Sequence, residues 1–102
     1  MADKFVIIVD RASATKLNAV HEAIKANARG WWHHFESTWI VSGDNNAGQW
    51  RDIVTQALVP RGQSNVLVLK ISDVPGGRWA GGGAKGSDWL KKTFPPPSQF
   101  RK

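Results

Sequence analysis

The sequence contains no cysteine, which excludes disulfide bonds and metal sites built from thiolate ligands. It also contains no apolar run near the roughly 20 residues that span a bilayer. Its first residues lack the basic and then apolar pattern of a signal peptide. We therefore expect a cytoplasmic protein, not bound to a membrane, that is stabilised by packing and by a partner subunit.

The 102 residues are enough for one hydrophobic core. We expect a single domain over residues 1–94, in which residues 73–94 form a C-terminal loop and a short helix. The loop is predicted because six of the fourteen residues from 73 to 86 are glycine. Three prolines, Pro95–Pro97, end the helix, so residues 95–102 are predicted to be a disordered, basic tail.

Hydrophobic periodicity predicts the secondary structure of the remaining chain. Residues 4–10 and 66–71 are predicted strands, and the first has apolar residues on both faces. Residues 30–41 predict a β-hairpin, with Trp31, His33 and Phe35 on one face of its first arm and Trp32, His34 and Glu36 on the other. Two amphipathic helices are predicted, one capped by Ser13 or Thr15 and ending near Gly30, the other opening at Asn46 and stopping before Pro60.

This β-α-β-β-α-β order predicts an α+β fold of the ferredoxin-like type, with a four-stranded antiparallel sheet and two helices on one face. The other face would carry apolar side chains from the first and last strands. A solvated sheet face is normally polar, so something must cover this one. A second copy of the chain and the C-terminal segment are the two candidates.

Charge is concentrated at the C-terminal end of the chain. Residues 1–77 hold eight basic and seven acidic groups, whereas residues 78–102 hold six basic groups and one acid, Asp88. A basic segment on a nearly neutral body suggests attraction to a polyanion such as nucleic acid. The alternative is a solvated tail that only aids solubility.

Several motifs together resemble a known protein family. They are Asp10 at the end of the first strand, Trp31-Trp32-His33-His34, Ser37-Thr38-Trp39-Ile40-Val41, Arg78-Trp79-Ala80-Gly81 and Trp89-Leu90-Lys91-Lys92. In these motifs, spread over roughly residues 4–94, the chain resembles the bacterial and phage SinR-like proteins. These look like distant relatives of the small CRISPR adaptation subunit and of the VapD toxins. The resemblance implies a ferredoxin-like fold and a homodimer.

The same resemblance marks Asp10 as a candidate catalytic residue and metal ligand. In the CRISPR subunit an aspartate at this place faces its symmetry mate and supports metal-dependent nuclease activity. Paired carboxylates hold Mg²⁺, which polarises a phosphate and activates water, so Mg²⁺ is the candidate cofactor. The alternative interpretation of Asp10 is a hydrogen-bonding residue where a strand meets a turn.

His33 and His34 are candidate general acids or bases for phosphodiester cleavage. Adjacent strand residues point to opposite faces, so we do not expect these two imidazoles to hold one ion. We expect His21 to be remote from both, so a zinc site would need a dimer or carboxylates. The structural alternative is one histidine packed or hydrogen-bonded in the sheet and the other at the surface.

Tryptophan is abundant, and Trp39 and Trp50 are predicted to be structural because they lie on the apolar faces of a strand and a helix. Nucleic acid, RNA or DNA, is expected to contact the basic and aromatic residues of the C-terminal segment. These residues are Arg78, Trp79, Lys85, Lys91 and Lys92. The alternative is a hinge that lets Trp79 and Trp89 cover the open sheet face.

Three functions follow from these observations. The first is a homodimer that binds nucleic acid without assured catalysis, and the second is a metal-dependent endonuclease of the toxin or defence type that uses Asp10 across the dimer. The third is a dimeric scaffold or small-nucleotide-binding module, with a protein partner for the tail at Pro95–Pro97. We rank binding first because it needs only the charge and aromatic pattern of the sequence.

Overall fold

The computed structural model describes residues 3–71, and the predicted loop, short helix and tail from residue 73 onward lie outside the described residues. The elements follow the predicted order. They are β1 (Asp3–Asp10), α1 (Ala14–Asn27), β2 (Gly30–Phe35), β3 (Thr38–Gly43), α2 (Ala47–Ala57) and β4 (Asn65–Ile71). Within residues 3–71, neither helix is long and apolar enough to cross a membrane.

The four strands form one antiparallel sheet in the order β2-β3-β1-β4. The central position predicted for β1 is confirmed, since it pairs with β3 on one side and with β4 on the other. The fold is therefore α+β, with an open four-stranded sheet and two helices, and this arrangement is compatible with the ferredoxin-like class.

Both helices begin at the caps that the sequence indicates. The hydroxyl of Ser13 accepts a hydrogen bond from the backbone N–H of Lys16. Asn46 and Gln49 form a reciprocal capping box, in which each side chain accepts from the backbone N–H of the other residue at 2.8 Å. These bonds satisfy N–H groups that have no partner inside the helix, so the caps place the start of each helix.

The core lies between the sheet and the helices. Its buried side chains are Phe5, Ile7 and Val9 of β1, Trp39 and Val41 of β3, Val20 and Ile24 of α1, Trp50 and Val54 of α2, and Leu58 after α2. The structural role predicted for Trp39 and Trp50 is confirmed, because both are fully buried. Burial of these large apolar surfaces is the main force that holds the helices on the sheet.

The opposite side of the sheet, which we call the open face, is also apolar. Val6 and Ile8 of β1 and Ile40 of β3 are half-buried there. Next to β1, Leu67 and Leu69 of β4 keep about half of their surface exposed, 51 and 50 % respectively. The alternation predicted for this strand is confirmed, since Val66 and Val68 pack against the core on the other side.

Candidate functional site

A pocket of about 240 Å³ lies where α1 meets the hairpin formed by β2 and β3. Its lining residues are Ala14, Leu17, Asn18 and His21 from α1, and His33 and Glu36 from the hairpin. Two imidazoles, an amide and a carboxylate thus share one small concave surface. Clefts with a few convergent polar groups are the usual form of a binding or catalytic site.

The two histidines meet because of the periods of their elements. His21 follows buried Val20 and lies one helical turn after Leu17, so it borders the apolar side of α1. His33 lies on the helix-facing side of β2. The ring centroids of His21 and His33 are 5.0 Å apart. The expectation that His21 is remote was therefore wrong, because packing of α1 on the sheet brings it to the hairpin.

The side chain of Trp39 contacts both imidazoles. The ring of His33 stacks on Trp39, with centroids 4.1 Å apart and planes 8° from parallel. The indole Nε1–H of Trp39 donates a hydrogen bond to Nδ1 of His21 at 3.1 Å. The ring of Trp31 makes an edge-on contact with that of His21, with centroids 4.9 Å apart. Because Trp39 is fully buried, its contacts limit the rotation of both histidine rings.

The hydrogen bonds also determine which ring nitrogens carry protons. An indole N–H can only donate, so Nδ1 of His21 is an acceptor and the proton of the neutral ring is on Nε2. Nδ1 of His33 lies 3.0 Å from the backbone carbonyl oxygen of Thr38, which can only accept. Nδ1 of His33 is therefore the donor, and in its neutral form Nε2 holds the lone pair.

His21 is held in its neutral form. Burial lowers the pKa of His21 below the usual value of 6.5, and the neighbouring His33 and Lys25 lower it further, whereas Glu22 raises it. Protonation of Nδ1 would also place two N–H donors against each other at the contact with Trp39. Under neutral conditions His21 thus presents a fixed Nε2–H donor.

The other side of β2 carries a separate aromatic group. His34 and Phe35 both contact the ring of Trp32, at 5.2 and 5.1 Å. The predicted face of Phe35 was wrong, because a register shift between Trp32 and Phe35 interrupts the two-residue alternation. The separation of the two adjacent histidines is confirmed, with His33 hydrogen-bonded and partly buried and His34 exposed.

Asp10 lies at the end of β1, opposite Asn65 of β4, and does not line the histidine pocket. The side chain of Asp10 is 67 % exposed, and Nε of Arg11 lies 3.8 Å from its Oδ2. Across residues 3–71 of one chain, no group of three or more histidine, aspartate or glutamate side chains is placed to hold a metal ion. A single carboxylate beside a guanidinium does not fit a magnesium site, so we derive no step through the metal within one chain.

The five residues predicted to contact nucleic acid, from Arg78 to Lys92, lie outside the described residues. Sequence reasoning missed three polar members of the pocket, His21, Asn18 and Glu36. The helical spacing from Leu17 to His21 could have shown that His21 borders the core, but not which strand it faces. Comparison of the chain with protein-family models, with curated proteins and with solved structures finds no match in any of the three.

Proposed function

We propose that the protein is a ferredoxin-like homodimer that binds nucleic acid, RNA or DNA, and that β2 forms part of the binding surface. The observation that carries this proposal is the exposure of two aromatic rings on this edge strand. Trp31 is 37 % and Phe35 is 61 % exposed, on opposite sides of β2. Exposed aromatic side chains that stack on bases are a usual means of holding single-stranded nucleic acid.

The charge distribution supports the same function. Residues 3–71 carry eight basic and six acidic groups, so this part of the chain offers little net attraction to phosphates. The six basic residues from position 78 onward supply the attraction to phosphates. Similarity to the SinR-like proteins is part of this proposal and depends on the motifs given above.

The open face favours the dimer over base stacking across the sheet. Sheets that bind RNA on their surface place aromatic rings on the central strands. Here the central strands carry Val6, Ile8 and Ile40 at these positions, and the neighbouring edge strand carries exposed leucines. An aliphatic surface of this kind gains free energy by contact with another apolar surface, so we assign it to a second copy of the chain.

Binding is tested by fluorescence anisotropy of labelled single-stranded RNA and DNA with the full chain over a series of salt concentrations. If all six basic residues contact phosphates, the logarithm of the binding constant falls with the logarithm of the salt concentration with a slope of about −4. Phe35→Ala should weaken binding by about 5- to 150-fold, the usual effect of one lost stacking contact. Val59→Ala removes a similarly exposed apolar side chain from the loop before β4 and serves as the matched control.

Salt-independent binding, or equal binding by the Phe35 and Val59 variants, would contradict the proposal. The same experiment separates the competing functions. Cleavage that needs Mg²⁺ and is lost in Asp10→Asn would favour the endonuclease, with the metal held across the dimer. Neither binding nor cleavage would favour the scaffold or a small-nucleotide ligand.

A further inference from the structure

His21 and His33 both line the pocket, and each has one ring nitrogen engaged by another group of the protein. Nδ1 of His21 is engaged by Trp39, and Nδ1 of His33 is engaged by the carbonyl of Thr38. The Nε2 atoms therefore remain for a ligand, and no contact within residues 3–71 occupies them. A ring nitrogen reaches about 3 Å to its partner, so two imidazoles with centroids 5.0 Å apart can contact neighbouring atoms of one phosphodiester.

We propose that this pocket cleaves RNA without a metal ion, by attack of the ribose 2′-hydroxyl on the adjacent phosphate. The inference depends on the proposed binding of nucleic acid and adds a reaction and a substrate class to it. His33 is the general base, because its Nε2 carries the lone pair. His21 is the electrostatic stabiliser, because its neutral Nε2–H can donate to a phosphoryl oxygen.

The reaction conserves atoms, protons and charge. Nε2 of His33 takes the proton of the 2′-hydroxyl, and the 2′-oxygen forms a bond to phosphorus while the bond from phosphorus to the 5′-oxygen breaks. The leaving 5′-oxygen takes a proton from water, and the resulting hydroxide takes the proton back from His33. The products are a 2′,3′-cyclic phosphate and a 5′-hydroxyl, with no oxidant, reductant or metal required. DNA lacks the 2′-hydroxyl and is not cleaved.

The surroundings of the rings suit these two roles. The carbonyl of Thr38 accepts from Nδ1 of His33, which fixes the tautomer and the orientation of the ring and leaves Nε2 as the basic atom. Trp39 and burial keep His21 neutral, and a neutral imidazole is an effective donor to a developing oxyanion. The amide of Asn18 borders the same space and supplies a further donor or acceptor.

Among the described residues that line the pocket, Glu36 is the one with a formal charge, and its carboxylate repels a phosphodiester. The pocket alone is therefore a weak anion site. Attraction of RNA to the protein is supplied by the proposed binding function, on which this reaction depends. The same charge makes a free phosphate or a small anion a poor ligand of the pocket.

The test uses His33→Asn and His21→Asn in the full chain. The asparagine amide nitrogen can replace the Nδ1–H donor of His33, and the amide oxygen can replace the Nδ1 acceptor of His21. Both variants remove the atom at the Nε2 position. With a labelled single-stranded RNA in excess chelator, we expect His33→Asn to lower the cleavage rate by about 10²- to 10⁴-fold. For His21→Asn we expect a loss of about 10²- to 10³-fold.

Three controls identify the reaction and the residue that carries it. They are the chemical ends of the RNA products, a chemically modified RNA and a matched variant. The RNA fragments should have 2′,3′-cyclic phosphate ends, and RNA with 2′-O-methyl groups should bind but stay intact. Cleavage by a contaminating ribonuclease would persist in the His33 variant, which is purified in the same way. His34→Asn makes the same chemical change on the opposite side of β2, so a loss of cleavage there in place of His33 would overturn the assignment.

The outcomes for binding and for cleavage are distinguishable. Binding of 2′-O-methyl RNA with no chelator-resistant cleavage of ordinary RNA would refute this inference and leave the proposed function standing. Cleavage that chelator abolishes would also refute it. No binding of any nucleic acid would refute the proposed function and the inference together. Chelator-resistant cleavage that depends on His33 and His21 would support both.

Discussion

The hydrogen bond from Trp39 to His21 leads to the sharpest prediction about stability. Trp39 is fully buried and its indole Nε1–H donates to Nδ1 of His21 at 3.1 Å. His21→Leu removes the acceptor and leaves a buried donor without a partner. A buried unsatisfied polar group costs about 1–3 kcal/mol. We therefore expect the free energy of unfolding to fall by about this amount relative to His21→Asn, whose amide oxygen can still accept.

The comparison of leucine with asparagine isolates the hydrogen bond. Both variants lose the ring contacts of His21 with Trp31 and His33, so these losses largely cancel. Leucine is the more apolar replacement, so burial alone would make the leucine variant the more stable one. A lower stability of the leucine variant can therefore be attributed to the lost hydrogen bond.

Urea unfolding at pH 7.5, followed by tryptophan fluorescence, measures the difference. A chain of this length has a free energy of unfolding of about 5–15 kcal/mol, so a loss of about 2 kcal/mol is a substantial fraction. With a urea dependence of about 2 kcal/mol per molar, the midpoint of unfolding would fall by about 1 M. Protein concentration is held constant, because dimerisation contributes to the measured stability.

Two results would refute this assignment of the hydrogen bond. One is a leucine variant as stable as the asparagine variant. The other is a difference that persists when Trp39 is replaced by phenylalanine, because that background has no indole donor. A double-mutant cycle over positions 21 and 39 reports this coupling directly.

Three further predictions concern pH, assembly and charge. The pKa of His21 is lowered in the folded chain, so the unfolded chain binds more protons at this residue as pH falls. The contribution of His21 to stability is therefore complete above pH 6.5 and is lost as pH falls from there toward the folded pKa. Urea midpoints of the native protein should show this loss between about pH 7.5 and 5, and an equal loss in His21→Asn would contradict it. Leu67→Glu and Leu69→Glu change half-exposed positions, so we expect folded monomers by sedimentation, whereas unchanged dimers would remove the open face from the interface. Glu36→Gln removes negative charge from the pocket, so it should tighten RNA binding at low salt, and this gain in affinity should shrink as the salt concentration rises. Equal RNA affinities of the variant and the native protein at low salt would show that the carboxylate does not act on the ligand.

Much of the fold was predictable because its signals are local. The two-residue period of β3 follows the two faces of the sheet, with Trp39 and Val41 buried and Thr38, Ile40 and Ser42 between and beside them half-buried. The pair Asn46 and Gln49 predicted the start of α2, since a capping box needs only residues within one helical turn. Such features depend on the geometry of a few neighbouring residues and are little changed by the rest of the chain.

The site was less predictable because it depends on irregularity and on long-range packing. The register shift in β2 moves Phe35 to the side of Trp32, and alternation alone cannot show where such a shift occurs. The sequence distinguished His33 from His34 by strand geometry, but it could not show that His21 of α1 would lie beside His33. That contact depends on how the helix is placed across the sheet.

The sequence by itself determined the order of the elements, the helix caps, the two tryptophans of the core and the concentration of positive charge beyond residue 77. Each of these follows from periodicity, local hydrogen bonding or composition. Only the tertiary structure decided that His21 and His33 share a pocket and which nitrogen of each ring is left for a ligand. Which nitrogen of a neutral histidine carries the proton is set by the hydrogen bond that the other nitrogen makes. For His21 that partner is the side chain of Trp39, and for His33 it is the backbone of the hairpin. Both partners are in place only after the chain has packed.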